Sequence, residues 1–332
     1  MTSTAPIRIG IIGAGHLGRY HIECMQQIES GSGSAKLVGF YDIDPDRVNS
    51  IAEKYQLHAF DNFDDLLAHT DAVCIVTPTQ THHELGMRAI DAGRHVFIEK
   101  PLTDDPESSR KLVDRLAAKG LIGRVGHVER YNPAFIAARA AGLKSPMFIE
   151  AHRLAPFNIR GLDVPVIMDL MIHDIDIVLA TIDAEVDHIE ANGVGVAGPS
   201  ADICNARISF KNGAVANLTA SRISLKQMRK LRLFQRDQYI GIDFLNQEVQ
   251  VVKLFPDEPG DMMAMKLDLP DGERWIAADN PQVSRHNAIE EELKEFIGAI
   301  GGQAGAGVTF EEGARAVEVA SQITAQIRQH EA

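Results

Sequence analysis

The chain has 332 residues, 45% hydrophobic and 24% charged, with 33 Lys+Arg against 46 Asp+Glu for a net charge of −13. That length exceeds one ordinary core and predicts two domains, and the acidic balance argues against general nucleic-acid or anionic-membrane binding. The N-terminus MTSTAPIRIG has no basic stretch leading into an apolar one, and Cys24, Cys74 and Cys204 lie far apart without CxxC or Cys/His spacing. A reduced, cytoplasmic protein with no metal site, no disulfide framework and no membrane span is expected.

In chain order, IRIGII (7–12) reads as a buried strand running into GAGHLG, which sets Gly13, Gly15 and Gly18 in GxGxxG register. A helical stretch, RYHIECMQQIES, and a second apolar strand, KLVGFY (36–41), follow, and the strand ends at Asp42. Strand, glycine turn, helix, strand and acid together form the dinucleotide fingerprint. Gly13 permits the tight turn, Gly15 lets the backbone approach a pyrophosphate, and Gly18 lets helix and strand pack closely. His16 and Leu17 open the helix whose N-terminus favours the phosphates. Asp42 is expected to accept hydrogen bonds from the adenosine ribose hydroxyls and so select NAD over NADP. Ile43 follows it where an arginine could receive a 2′-phosphate, although Arg47 lies only a turn further on.

The alternation continues with the strand DAVCIVTPT (71–79), a helix closed by Gly93, the strand HVFIEKP (95–101), a helix closed by Gly120, and the strand LIGRVGHVERYNP. Such alternation predicts a parallel, doubly wound sheet whose ligands lie beyond the strand C-termini. Candidate walls are therefore Thr77, Pro78, Thr79 and His82, then Glu99 and Lys100, then His127 to Pro133 with Tyr131 and Asn132. Lys100 follows an apolar strand and precedes Pro101, which turns the backbone out of the sheet.

Beyond Pro133 the texture changes. After AFIAARAAG and SPMFIEAHRLAPF comes VPVIMDLMIHDIDIVLA (164–180), apolar on every side yet carrying Asp169, His173, Asp174 and Asp176. It reads as a buried helix. Asp169, His173 and Asp176 are spaced i, i+4, i+7 and share one face, while Asp174 points elsewhere. Two readings fit that row: a satisfied polar seam between packed helices, or a set presented to a reaction site. From about residue 185 successive strands follow, with KNGA (211–214) as a hairpin turn on Asn212-Gly213. NAIEEELKEFIGAI and TFEEGARAVEVASQITAQIRQ close the chain as helices.

ELGMRAIDAGRHVFIEKPLT, GHVERYNPAF and DLMIHDID, in that order, resemble the Glu-Lys-Pro region, the domain junction and the catalytic helix of the Gfo/Idh/MocA oxidoreductase family. The resemblance implies an α/β protein: an N-terminal Rossmann domain with a doubly wound parallel sheet (1–127), then an α+β domain with an open-faced, largely antiparallel sheet (128–332) for substrate binding and oligomerisation. It implies NAD as cofactor, Lys100, Asp169 and His173 as the catalytic set, and a homodimer or homotetramer formed through the C-terminal sheet. GHVERYNP, HRLAPF, DLMIHDID and TASRIS are similar to the branch acting on UDP-sugars, UDP-N-acetylglucosamine 3-dehydrogenases among them. The implied substrate is then a sugar nucleotide oxidised at a ring hydroxyl, with Tyr131, Asn132, Arg153, Asn158, Arg160 and Arg222 as substrate-binding residues and arginine forks suited to a diphosphate. The alternatives are an NAD-dependent dehydrogenase of a free polyol or sugar, and a non-catalytic NAD-binding sensor, against which the presence of both Lys100 and His173 argues.

Overall fold

The computed structural model describes residues 5–157, 164–197, 200–260, 262–270 and 272–331; Asn158 and Arg160 lie outside them. The chain divides into two compact units. The first comprises residues up to Val128 together with Asn287–Glu318, and the second Glu129–His286 with the residues from Val319 on.

The first unit contains β1 (Ile7–Ile12), α1 (His16–Gly31), β2 (Ala35–Tyr41), α2 (Pro45–Tyr55), α3 (Phe63–His69), β3 (Ala72–Ile75), α4 (His82–Asp91), β4 (His95–Glu99), α5 (Pro106–Lys119) and β5 (Gly123–Gly126). The strands pair in parallel in the order β2-β1-β3-β4-β5. β3, Ala72 to Ile75, is buried along its whole length, as expected for a parallel strand covered on both faces. Local chemistry sets the helix ends. Asp44 and Asp105 cap α2 and α5 with proline at the first turn, and Gly120 closes α5 in the left-handed conformation.

The second unit contains α6 (Pro133–Ala140), β6 (Phe148–Leu154), α7 (Ile172–Thr181), β7 (Val186–Val194), β8 (Ile203–Phe210), β9 (Val215–Ser221), β10 (Met228–Phe234), β11 (Gln238–Asp243), β12 (Glu248–Phe255), β13 (Ala264–Leu269) and β14 (Gly272–Asp279). They form a nine-stranded sheet ordered β13-β14-β12-β11-β10-β6-β9-β8-β7. β6 and β9 pair in parallel and the other neighbours antiparallel. The β8–β9 hairpin turns at Asn212-Gly213, where Gly213 takes φ +85°. The apolar segment read as one helix begins instead as a π-helical turn, Ile167–Met171, and only then becomes α7. Periodicity does not distinguish the two, and π turns recur at functional sites.

The last helices are α8 (Ala288–Ile300) and α9 (Phe310–Glu331). Reading domains in chain order put every residue after 127 in the second domain, but α8 and the start of α9 pack with the first unit. The reason is the apolar face of α8. Leu293, Phe296 and Ile297 are buried in one cluster with Ile22, Met25, Cys74 and Phe97, and the Phe97 and Phe296 rings lie 5.9 Å apart. Among the described residues, no helix is long and apolar enough to cross a membrane.

Candidate functional site

In the first unit the ends of β1, β2 and β3 meet around a cavity of about 730 Å3 lined by Gly13, Gly15, Asp42, Arg47, Thr77 and Pro78 among others. This is the switch point of the 2-1-3-4-5 strand order, where doubly wound sheets bind ligands. Gly13 takes φ +91°, and a Cβ there would sit 2.5 Å from the Val76 carbonyl oxygen. A Cβ on Gly18 would lie 2.0 Å from the Gly13 carbonyl oxygen, whereas one on Gly15 would meet nothing within 4 Å. Two glycines thus close the turn, and the third leaves backbone open to a ligand beside the exposed His16 and Leu17. A bare main chain at a helix N-terminus beside a cavity fits the pyrophosphate of a dinucleotide.

Asp42 lies at the rim. Its Oδ2 accepts the Ala14 N–H at 2.7 Å, its Oδ1 accepts the Asp44 N–H at 2.9 Å, and Arg47 Nη1 donates to both oxygens at 2.9 and 3.0 Å. Burial pushes this carboxyl up, but the Asp44 and Ala14 amides and the Arg47 guanidinium outweigh it and hold it below the usual carboxylate range. Arg47 is therefore occupied by acids, including Asp44 at 3.1 Å.

Thr77 and Thr79 are partly exposed and Pro78 is exposed after β3, and the Thr77 hydroxyl bonds that of Thr81 at 2.7 Å. His82 does not face that surface. It is 1% exposed, and its ring nitrogens each lie 2.9 Å from a carbonyl oxygen, of Pro101 and of Thr77. It ties two strand-end loops together. Burial pushes its imidazole below the ordinary 6.5, against the pull of the Thr77 and Pro101 carbonyls. Glu99 is buried with its side chain directed to His21 at 2.8 Å, and Lys100 is partly exposed. The Lys100–Pro101 peptide is cis.

In the second unit, the residues from Val166 to Val178 are buried except Asp169, Leu170 and His173, which are partly exposed. The segment therefore opens at the carboxylate–imidazole pair. Its other two acids are consumed internally. Asp176 receives Arg130 in a two-point fork, both bonds at 2.8 Å, which ties α7 to the turn before α6. Asp174 receives Arg153 in a second fork, at 3.0 and 2.8 Å, and Arg153 also reaches Glu129 at 2.8 Å.

In this geometry two of the arginines expected at the substrate are held by carboxylates. Arg153 is 2% exposed between two carboxylates. Burial favours its neutral form, but Asp174 and Glu129 outweigh that and hold the guanidinium charged. It pins β6 to α7 and has no open fork for a diphosphate. Arg222 donates to Asp202 at 2.7 Å, to the Val164 carbonyl at 2.6 Å and to Ser200 at 2.9 Å. Asp202 also takes the Val196 and Ala197 amides. Burial pushes the Asp202 carboxyl up, and the Ala197 amide, the Arg222 guanidinium and the Val196 amide bring it down to about 2. Asn132, also expected at the substrate, is buried; it caps α6 and donates to Glu129 and to the Phe244 carbonyl, both at 3.1 Å. Tyr131 is partly exposed, and its carbonyl faces His286 at 2.8 Å.

Sequence reasoning passed over His21 and Glu292. Each is a polar residue in an apolar register, His21 beside Gly18, Cys24, Met25 and Ile28, and Glu292 beside Ile289, Leu293 and Phe296. That irregularity was the available signal.

Comparison with known proteins gives concordant findings. Residues 7–127 match the oxidoreductase family with the NAD-binding Rossmann fold, and residues 111–236 match the GFO/IDH/MocA C-terminal domain. The chain is 37% identical to the UDP-N-acetylglucosamine 3-dehydrogenase of Acidithiobacillus ferrooxidans over 89% of its own length and 88% of that protein. It is 29% identical to a scyllo-inositol 2-dehydrogenase (NAD(+)) of Bacillus subtilis over 66% of its length and 68% of that protein. A solved structure of the Acidithiobacillus ferrooxidans enzyme superposes with a TM-score of 0.86 at 34% identity, covering 98% of this chain and 99% of the other.

The Arg153 cluster generates a test. Arg153→Ala leaves two buried carboxylates with only the half-exposed Arg229, 3.7 Å from Glu129, as a nearby cation, and is expected to cost about 3–5 kcal/mol of stability. Urea unfolding of the variant reads this directly; a variant with wild-type stability and a weakened substrate KM would return Arg153 to the binding site.

Proposed function

Because the chain belongs to the Gfo/Idh/MocA family of NAD-binding oxidoreductases, we propose that it oxidises a secondary ring hydroxyl of a UDP-linked N-acetylhexosamine, taking UDP-N-acetylglucosamine to its 3-keto form. What carries the choice of substrate is the extent of likeness. The similarity to a UDP-N-acetylglucosamine 3-dehydrogenase runs through 89% of the chain at 37% identity, whereas the scyllo-inositol dehydrogenase matches 66% of it at 29%. The described arginines add no support, because Arg153 and Arg222 are engaged by acids.

In this reading the Gly13–Gly18 turn holds the pyrophosphate, Asp42 the adenosine ribose, and the Thr77–Thr79 and Glu99–Lys100 strand ends the nicotinamide side. NAD, when bound, supplies the hydride acceptor. His173 takes the hydroxyl proton during oxidation and returns it in the reverse direction, a role suited to a group that titrates near neutral pH. Asp169, four residues earlier, orients the imidazole and stabilises its charged form. Lys100 donates a hydrogen bond to the reacting oxygen and counters the negative charge that develops there. The partial exposure of Asp169 and His173 within a buried segment supports these assignments.

The reading also makes the protein cytoplasmic, in keeping with three buried free cysteines. It makes it a homodimer or homotetramer through the open face of the nine-stranded sheet, where Glu150, His152, Lys230, Tyr239 and Asp243 line a depression of about 490 Å3.

Three outcomes are expected. His173→Ala lowers kcat by roughly 10²–10⁴-fold with NAD affinity retained, and Lys100→Met does likewise in a folded protein; unchanged turnover removes that residue from the mechanism. NAD outperforms NADP in kcat/KM, and Asp42→Ala narrows the gap; an enzyme that prefers NADP contradicts the role given to Asp42. In a panel followed by absorbance of the reduced cofactor, UDP-N-acetylglucosamine is oxidised, UDP competes with it, and free inositol and glucose react poorly. Equal efficiency with a free polyol would overturn the sugar-nucleotide reading in favour of an inositol-type dehydrogenase.

A further inference from the structure

The first unit buries a group of ionisable side chains that the proposed reaction does not use. His21 comes from the second turn of α1, Glu99 is the last residue of β4, and Glu292 comes from the second turn of α8. All three are buried, and one polar atom from each lies within 4.8 Å of the others. His21 Nε2 is 2.8 Å from Glu99 Oε1, and Glu99 Oε2 accepts the Lys100 N–H at 3.2 Å. Both carboxyl oxygens of Glu292 and Nδ1 of His21 have no hydrogen-bond partner among the described residues. The Glu99 carboxylate rests on Gly126 of β5, where a Cβ would lie 2.8 Å from its carboxyl carbon.

Two ionised carboxylates this close in a site closed to water repel strongly, and such pairs retain a proton. His21, when protonated, is matched by Glu99 alone at hydrogen-bonding distance. The ionisable groups shown acting on this cluster among the described residues are His21 and Cys24 from α1, Cys74 from β3, His82 from α4 acting on Glu99, and the further acids Glu23 and Glu290 acting on Cys24; none of these is a lysine or arginine that would neutralise a second negative charge. We infer that Glu292 is kept as a neutral carboxylic acid, so that no second negative charge within 4.8 Å pushes the Glu99 carboxylate off His21 and the Lys100 N–H, making the three a positioning network for the backbone of Lys100. Its functional meaning rests on the role proposed above for Lys100.

The electrostatics agree with the geometry. Burial, and then the charge of Glu99, push Glu292 well above the ordinary glutamate value of 4.5. Burial, and then Glu99 and Glu292, likewise push the Cys74 thiol up. The sign of the stability effect follows. The folded protein keeps a proton on Glu292 that the unfolded chain releases above about pH 4.5, so this group favours the fold below that pH and costs progressively more stability as pH rises toward its folded value.

The test uses the full chain with NAD bound and two substitutions. Glu292→Gln keeps a neutral group of the same shape, and Glu292→Ala removes it. At neutral pH the infrared difference spectrum, wild type minus Glu292→Gln, is expected to show the C=O stretch of a protonated carboxyl. Amide hydrogen exchange at Lys100 is expected to rise about tenfold in Glu292→Ala, equivalent to about 1.4 kcal/mol, to stay near wild type in Glu292→Gln, and to leave the amides of β3 unchanged in both. Where a substrate is turned over, kcat follows the same order at constant NAD affinity, with Glu292→Gln recovering what Glu292→Ala loses. Absence of the infrared band, equal Lys100 exchange in all three proteins, or one equivalent of divalent metal in the purified chain overturns the proposal. The infrared and exchange readings need no substrate, so failure of the dehydrogenase reading would appear separately, as absence of turnover with the band and the exchange pattern intact.

Discussion

A charge moved out of water must be answered at close range or it is not tolerated. That constraint organises the second unit. Arg153 fixes Asp174 and Glu129, Arg130 fixes Asp176, and Arg222 fixes Asp202. Each pair joins segments separated in sequence: β6 to α7, the turn before α6 to α7, and the end of β9 to the start of β8. An apolar helix alone could slide or rotate against a sheet with little penalty. A helix with two buried acids, each gripped by a planar guanidinium, has one register and one rotation. Asp169 and His173, the two polar residues of the segment that reach the surface, inherit their orientation from that fixation. The position of the partly exposed pair is set by buried ion pairs on the other faces of the segment.

How far the sequence could be read depended on whether a residue's task is local. The glycines of GAGHLG were legible because turn, close approach and helix packing are all settled within a few residues, and Gly13 and Gly18 have the crowded surroundings that such roles require. The parallel and largely antiparallel sheets followed from alternation and strand texture. The arginines were not legible. Arg153 and Arg222 are isolated basic residues in sequence, and only the folded chain brings Asp174 and Asp202 to them, from 21 and 20 positions away. The π turn at Ile167–Met171 escaped notice because apolar residues on all sides give no phase from which to count. The hairpin of β13 and β14 was also unreadable, since β13 buries none of its residues fully and so lacks an inner face.

The first unit adds a second solution. Like the buried acids of the second unit, Asp42 is met by an arginine, Arg47. But His21, Glu99 and Glu292 meet one another, and a proton takes the place of a guanidinium. A proton is smaller and leaves room for the close packing of Phe97 and Phe296 beside the cluster. It also titrates, which an arginine does not.

The return of α8 to the first unit changes what can exist by itself during synthesis. Val128 closes the first stretch of that unit, and Asn287 reopens it. Until α8 leaves the ribosome, the apolar surface that receives Leu293, Phe296 and Ile297, including Cys24, Met25 and Phe97, has no cover. The nucleotide-binding half is therefore the first to begin and among the last to finish. While the intervening 158 residues from Glu129 to His286 are made, it presents an apolar surface of the kind that chaperones bind.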